Sequence, residues 1–199
     1  MIGNDIVDLA YARQMSNWQR PRFLDKVFSA TEQHMIKEAE DPERWVWLLW
    51  SIKESVYKLI HRNMQRSFFA PKRIECVAVT PTITNEAVKF VVHYEDQTYF
   101  GESQLDQAYL HSIAYAANKN PDYSAASFSL EQCDYTHQQA FIRRELLRQY
   151  AKTEDLAVER LSIQKNISGI PAIYLGGVQQ DTVLSISHHG YFAAYAFIK

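Results

Sequence analysis

The clearest periodic pattern in the chain lies between residues 42 and 63, where apolar side chains recur every three or four positions. The stripe consists of Trp45, Leu48, Leu49, Ile52, Val56, Leu59 and Ile60. Residues with this spacing share one face of a helix, and burying that face is the main reason for the segment to fold. Asp41 followed by Pro42 marks the predicted start, because aspartate caps helices and proline fits their first turn. We therefore predict one long helix with a buried face.

Two shorter elements are predicted before this helix. Residues 2 to 9, IGNDIVDL, alternate weakly and predict a strand with Asp5 and Val7 on the same face. Ser29 followed by Glu32 is a capping-box pattern, which predicts the start of a short helix.

Between residues 73 and 117 the period changes to two, which is typical of half-buried strands. The segments are RIECVAV, AVKFVVHY, QTYFGES and AYLHSIAYA. Polar turn residues between them predict an antiparallel meander.

The stretch 118 to 134 has no clear period and is rich in Asn, Pro and Ser, so we interpret it as a linker between residues 1 to 117 and 135 to 199. After it, Thr136 with Gln139 predicts a helix through about Ala151. Strands follow at RLSIQKN, at PAIYL, and at TVLSISHH, which turns at Gly190 into YFAAYAFI. The expected fold class is α+β, with two lobes that each pack a small antiparallel sheet against helices.

Composition narrows the functional classes. The chain is 47% hydrophobic and 22% charged with a formal net charge of -2, which is typical of a globular protein and argues against an unspecific nucleic-acid binder. The longest apolar run, WVWLLW, is far shorter than the ~20 residues that span a bilayer, and the N-terminus lacks the basic residues of a signal peptide. We expect a cytoplasmic protein with no membrane or nucleic-acid partner. Cys76 and Cys133 form no disulfide framework and receive no role.

Polar residues in the long helix are the first candidates for chemistry. Glu54, Lys58 and His61 form a row beside the apolar stripe. An exposed pair four residues apart contributes only ~0.3–0.5 kcal/mol to a helix and needs no function. Asp5 alone is equally explained as a turn or cap acid, and His188 as a polar residue at a hairpin end.

Together these residues have the parts needed to handle a pyrophosphate. Magnesium binds one or two carboxylates together with phosphate oxygens, and Asp5 and Glu54 can supply those carboxylates from a strand and a facing helix. Lys58 lies one turn from Glu54 and can meet phosphate charge, while the turn SISHHG offers hydrogen bonds to a further phosphate. The sequence contains no GxxxxGK[ST] and no GxGxxG, which disfavours an NTPase or a dehydrogenase.

Four blocks resemble the signature blocks of the 4'-phosphopantetheinyl transferases. They are GNDIVDL, RFLDKVFSATEQ, WSIKESVYK and SISHHGYFAAYAF. The first and third resemble the family patterns G-x-D-[IV]-[VE] and W-x-x-K-E-[AS]-x-x-K, and the last resembles [NS]-[LI]-S-H-S-G before an alanine-rich strand. The resemblance implies two pseudo-symmetric lobes of the α+β class.

The order of the blocks is unusual. In the two-lobed, surfactin-synthetase type of this family, the S-H-S-G lobe comes first and leads directly into G-x-D. Here G-x-D opens the chain and the S-H-H-G block lies near its end. Joining the two ends would restore the two-lobed order, so we interpret the chain as a circular permutant. The small holo-acyl-carrier-protein synthases also end with S-H-S-G, but they have one lobe and build their sites between subunits.

The resemblance implies roles for residues of the first lobe. Asp5 and Glu54 match the magnesium ligands, and Glu54 also matches the residue that helps to deprotonate the incoming serine. Lys58 matches the lysine that neutralises the departing phosphate. Lys53 matches its neighbour, directed toward the pyrophosphate of coenzyme A or the helix surface.

Ser187 and His188 of the second lobe match the S-H pair that contacts coenzyme A phosphates. The implied reaction is attack by a carrier-protein serine on the β-phosphate of coenzyme A. It transfers 4'-phosphopantetheine and releases adenosine 3',5'-bisphosphate, with Mg²⁺ as cofactor. Neither lobe holds the full residue set, so we expect one composite site between the lobes of a single chain, for which a monomer suffices. No motif identifies the acyl or peptidyl carrier or its pathway, such as fatty acid biosynthesis.

Three positions depart from the family pattern. Val7 stands where the two-lobed type has a third carboxylate, although DIV is what the small synthases show. Ile170 replaces the lysine of G-K-P; either Arg144 or Arg148 compensates for it, or both arginines face outward. His189 replaces the serine of S-H-S-G and is expected at the turn surface.

Two alternatives to an enzyme are open at the level of sequence. One is a non-catalytic relative that binds coenzyme A or a carrier protein, which the departures at Val7 and Ile170 favour. Retention of Asp5, Glu54 and Lys58 opposes it. The other is an interaction module whose charged row is solvated surface, which would make all four resemblances accidental.

Overall fold

The computed structural model describes residues 1–66, 68, 70–83, 86–116 and 121–198. The helices in these ranges are α1 (Leu9–Met15), α2 (Phe23–Val27), α3 (Ala30–Glu38), α4 (Pro42–Met64) and α5 (Tyr135–Glu154). The strands are β1 (Ile2–Asp8), β2 (Glu75–Pro81), β3 (Ala87–Tyr94), β4 (Gln97–Leu105), β5 (Tyr109–Tyr115), β6 (Ser124–Ser129), β7 (Leu161–Lys165), β8 (Pro171–Leu175), β9 (Val178–Gln179), β10 (Val183–His189) and β11 (Phe192–Ile198). Antiparallel sheets packed with helices confirm the α+β class.

The first lobe contains a five-stranded sheet in the order β1-β5-β4-β3-β2. The predicted meander is confirmed as β2 to β5, and β1 joins its edge beside β5. Helix α4 begins at Pro42, as predicted, with the side chain of Asp41 accepting a hydrogen bond from the Arg44 N–H. Its apolar stripe is buried against the sheet and forms the centre of the core.

Besides the Asp41 cap of α4, the cap of one further helix was predicted correctly and that of another wrongly. Ser29 and Glu32 form the expected capping box at the start of α3. Helix α5 is instead capped by Asp134, whose side chain accepts from the His137 N–H, so it begins before Thr136 and continues past Ala151.

The second lobe contains α5 and two three-stranded sheets, in the orders β10-β11-β6 and β7-β8-β9. Strand β6 lies within the stretch predicted as an irregular linker, and it pairs with β11. Its sequence, SAASFS, lacks alternation, so the pairing with β11 rather than a local pattern accounts for the strand. Residues 118 to 120 of that stretch lie outside the described residues.

The two lobes meet along the edge strands β1 and β10. Three backbone N–H groups of β1 donate to side chains of β10: Asn4 to Ser185 Oγ (2.9 Å), Ile6 to Ser187 Oγ (3.0 Å) and Asp8 to His189 Nδ1 (3.1 Å). Donors and acceptors advance together along both strands, so β1 and β10 run parallel. Side chains here satisfy edge N–H groups that a neighbouring strand would otherwise bond.

The Asp8 carboxylate accepts two further hydrogen bonds at the end of the same junction. One carboxylate oxygen caps α1 by accepting from the Tyr11 N–H, and the other accepts from the Tyr191 N–H at 2.9 Å.

Within the described ranges, no helix combines the length and apolar character needed to cross a membrane.

Candidate active site

Close contact between α4 and β1 depends on Gly3. A Cβ at this position would lie much closer to the Ser55 carbonyl oxygen than 3.0 Å, a limit that real Cβ atoms essentially never pass. Glycine therefore allows the helix backbone to approach the strand directly. Two contacts follow from the approach: Lys58 Nζ donates to the Asn4 carbonyl at 2.7 Å, and Ser51 Oγ donates to the Asp5 carbonyl at 3.3 Å.

The Asp5 carboxylate is the point at which three parts of the chain meet. Its Oδ1 atom accepts from Lys58 Nζ at 3.1 Å and from Ser187 Oγ at 3.0 Å. The side chains of Asp5 and Lys58 are 13% and 29% exposed, so the pair lies near the surface but is largely shielded. The structure thus brings the predicted Asp5, Lys58 and Ser187 together from β1, α4 and β10.

Glu54 is one turn before Lys58 on the same side of α4. Burial is the main reason that its pKa is raised to about 7; the negative charge of Asp5 raises it further, while Lys58 opposes the rise. A carboxyl group with a pKa near neutral pH can accept and release a proton under physiological conditions. Two acids that interact in this way also favour the binding of a cation.

His188 faces α5 rather than β1, because consecutive strand residues point to opposite faces. Its Nε2 atom lies 2.7 Å from Gln139 Nε2, and its ring meets that of Tyr135 edge-on. Burial lowers the pKa of His188, and the nearby charges of Lys58 and Lys165 lower it further. These influences favour the neutral form of the imidazole, while the charge of Asp5 opposes them.

A basic cleft of about 160 Å³ lies between the lobes beside Lys58. Its cationic lining includes Arg62 from α4, Arg143 from α5 and Lys165 from β7. Arg62 also connects α4 to β10, because its guanidinium donates a hydrogen bond to the Leu184 carbonyl. Sequence analysis missed all three residues, although Arg62 follows Lys58 by four positions and the same helical row could have indicated it.

Ile170, which the resemblance matches to the lysine of G-K-P, lies in the wall of this cleft. Ile170 is buried there and contributes no charge. Arg144 and Arg148 do not compensate for it, since both bind Glu145 on the outer face of α5 at 2.9 and 3.0 Å. Arg143 occupies the inward position instead.

Lys53 requires a correction, because it is buried rather than on the helix surface and is absent from the lining of the basic cleft; it lies instead in the wall of a separate pocket that borders Glu54. The Lys53 side chain is 3% exposed and forms an ion pair with Glu32 Oε1 at 2.7 Å. Lys53 Nζ also donates to the carbonyls of Pro71 and Ile74. Burial lowers the pKa of Lys53 and raises that of Glu32, while each partner's charge opposes the shift of the other. The residue ties α4 to α3 and to the start of β2.

A second, more apolar pocket of about 180 Å³ borders Glu54. Tyr57 and Phe68 line it, with ring centroids 5.1 Å apart. Glu54 therefore lies at this pocket, while Lys58 and Arg62, one and two turns further along α4, lie in the basic cleft.

Asp5 and Glu54 provide the carboxylates on which a cation could bind. Asp5 Oδ2 has no hydrogen-bond partner among the described residues, and it belongs to the same carboxylate that Lys58 and Ser187 hold. Across the described ranges, no group of three or more His, Cys, Asp or Glu side chains could form a complete metal cage. Two hard oxygen donors fit Mg²⁺, which usually keeps several waters and substrate phosphates as ligands.

Comparison with known proteins identifies one family. The family model described as the 4'-phosphopantetheinyl transferase superfamily matches residues 1–115, which include Asp5, Glu54 and Lys58. No curated protein matches the chain. The match covers more than half of the sequence and supports a transferase activity. This chain therefore belongs to the 4'-phosphopantetheinyl transferase superfamily.

Proposed function

We propose that the protein transfers 4'-phosphopantetheine from coenzyme A to a serine of an acyl or peptidyl carrier protein. Adenosine 3',5'-bisphosphate is the other product. The observation that supports this proposal most directly is the meeting of Asp5, Lys58 and Ser187 beside Glu54 and a basic cleft.

Asp5 and Glu54 would hold the magnesium ion, which when bound supplies positive charge to the pyrophosphate. Glu54 would accept the proton of the serine hydroxyl, directly or through water, and its pKa of about 7 suits that role. The serine oxygen forms a bond to the β-phosphorus as the bond from that phosphorus to the bridging oxygen breaks. Lys58 would stabilise the charge on the departing phosphate.

The two pockets suggest how coenzyme A lies along α4. Its nucleotide end carries several negative charges, which suit the cleft lined by Arg62, Arg143 and Lys165. Its pantetheine arm is uncharged, which suits the more apolar pocket beside Glu54. The pyrophosphate would then lie between them, next to Asp5 and Lys58.

Mass spectrometry of an apo acyl carrier protein incubated with the protein, coenzyme A and Mg²⁺ tests the proposal. We expect a mass increase of one phosphopantetheine, which Glu54→Gln should abolish. Glu43→Gln is a matched control, because Glu43 lies in the first turn of the same helix and pairs with Arg13. No mass increase with any of several carriers would contradict transfer.

A non-catalytic, coenzyme A-binding relative is the second candidate. Val7, at the position of the third acid, is buried in the core, and Ile170 adds no charge to the cleft. Measurable coenzyme A binding without transfer to any carrier would favour this candidate over the enzyme.

A further inference from the structure

We propose that Ser187 is a positioning residue, which orients the Asp5 carboxylate toward a divalent cation instead of binding a coenzyme A phosphate. The inference rests on the proposed function for the cation site. It changes the role that the family resemblance implies for Ser187.

The bonding capacity of the Ser187 hydroxyl is already used within the protein. Its oxygen accepts from the Ile6 N–H at 3.0 Å, and its single proton is donated to Asp5 Oδ1 at 3.0 Å. Ser187 is also only 5% exposed. A phosphate oxygen accepts hydrogen bonds, so it would need the same proton that Asp5 receives. A contact with coenzyme A would therefore break the bond to the carboxylate.

The bond from Ser187 constrains Asp5 from the side of the second lobe. Lys58 holds the same oxygen, Oδ1, from the first lobe, at 3.1 Å. Ser51 meanwhile donates to the Asp5 carbonyl, which fixes the backbone at this point. Because Oδ1 already accepts hydrogen bonds from Lys58 and Ser187, Oδ2 is the oxygen that remains for a ligand. Hydrogen bonds of this kind orient metal-binding carboxylates, and their loss typically lowers metal affinity 10–100-fold.

Ser185 allows positioning to be separated from the structural role at the lobe junction. It lies two residues earlier on the same face of β10, is also 5% exposed, and accepts from the Asn4 N–H at 2.9 Å. Its hydroxyl contacts no carboxylate in the described part of the chain. Ser185→Ala therefore removes a junction hydrogen bond alone, whereas Ser187→Ala removes a junction bond and the bond to Asp5.

The test compares Mn²⁺ binding by the wild-type protein, Ser187→Ala and Ser185→Ala, measured by electron paramagnetic resonance without coenzyme A. We expect Ser187→Ala to bind Mn²⁺ about 10–100-fold more weakly and Ser185→Ala to bind it like the wild type. Chemical denaturation should show a loss of stability in both variants, and a larger one in Ser187→Ala, which loses two hydrogen bonds instead of one. Calorimetric titration with adenosine 3',5'-bisphosphate in the absence of metal should give the same affinity for the wild type and Ser187→Ala; Ser185→Ala is left out of this comparison, because Ser185 lines the basic cleft.

Three results would overturn the inference. The first is equal Mn²⁺ affinity in the two variants, and the second is no Mn²⁺ binding by the wild type. The third is a lower affinity of Ser187→Ala than of the wild type for adenosine 3',5'-bisphosphate, which would indicate a phosphate contact. None of these results depends on transfer, so failure of the proposed function is recognised separately, by the absence of modified carrier protein.

Discussion

Substituting Gly3 with alanine tests whether the approach of α4 to β1 builds the site. The new methyl group would overlap the Ser55 carbonyl oxygen, and ordinary contact begins only at 3.4 Å. Strand and helix would therefore have to separate by about 1 Å. Because Asp5 lies two residues along the strand and Lys58 three residues along the helix, the separation would act directly on their 3.1 Å contact.

Gly3→Ala should lower both the free energy of unfolding and the rate of transfer. Forcing a methyl group into a well-packed interface typically costs about 1–3 kcal/mol of unfolding free energy. A misplacement of about 1 Å in a catalytic arrangement can lower the rate about 100-fold. We expect Gly3→Ala to lose stability in urea denaturation and to transfer phosphopantetheine about 100-fold more slowly per folded molecule.

Gly101→Ala provides the control for stability. A Cβ at Gly101 would overlap the Ile113 carbonyl oxygen and the Phe90 ring, between β4 and its neighbours rather than beside Asp5. This variant should be destabilised while its folded fraction keeps the wild-type rate. Equal rates per folded molecule for Gly3→Ala and wild type would refute the reasoning.

Three further predictions concern titration, ion pairing and the cleft. Burial raises the pKa of Glu54 from 4.5 to about 7, so the contribution of Glu54 to the free energy of unfolding should be fully present below pH 4.5 and be lost as the pH rises to about 7. In denaturation experiments Glu54→Gln should lack this pH-dependent loss of stability, and a difference in stability between the two proteins that stays constant with pH would contradict the prediction. Lys53→Met leaves Glu32 buried without its cation and should cost about 3–5 kcal/mol in denaturation; unchanged stability with a raised KM for coenzyme A would contradict the structural role. Arg143→Gln should raise the KM for coenzyme A about 10-fold, equivalent to ~1.4 kcal/mol, and equal KM values for this variant and Arg144→Gln would exclude the cleft as the binding site.

Local patterns were sufficient for most elements of the fold. The stripe of α4, the Asp41 cap and the alternation of β2 to β5 predict those elements because each depends on neighbours within a few residues. Strand β6 could not be predicted, since its pairing partner β11 lies more than 60 residues away. The circular order of the lobes stays a prediction from the order of the sequence blocks.

By itself, the sequence determined which residue types were available to the candidate site and on which elements they lie. Only the tertiary structure decided their partners. Lys53 and Lys58 belong to the same helix, yet in the packed structure Lys53 forms an ion pair with Glu32 and Lys58 forms one with Asp5. Likewise, the β1–β10 junction sets Ser187 against Asp5 across 182 positions of the chain. Such contacts depend on how whole elements pack, and a one-dimensional pattern does not contain that information.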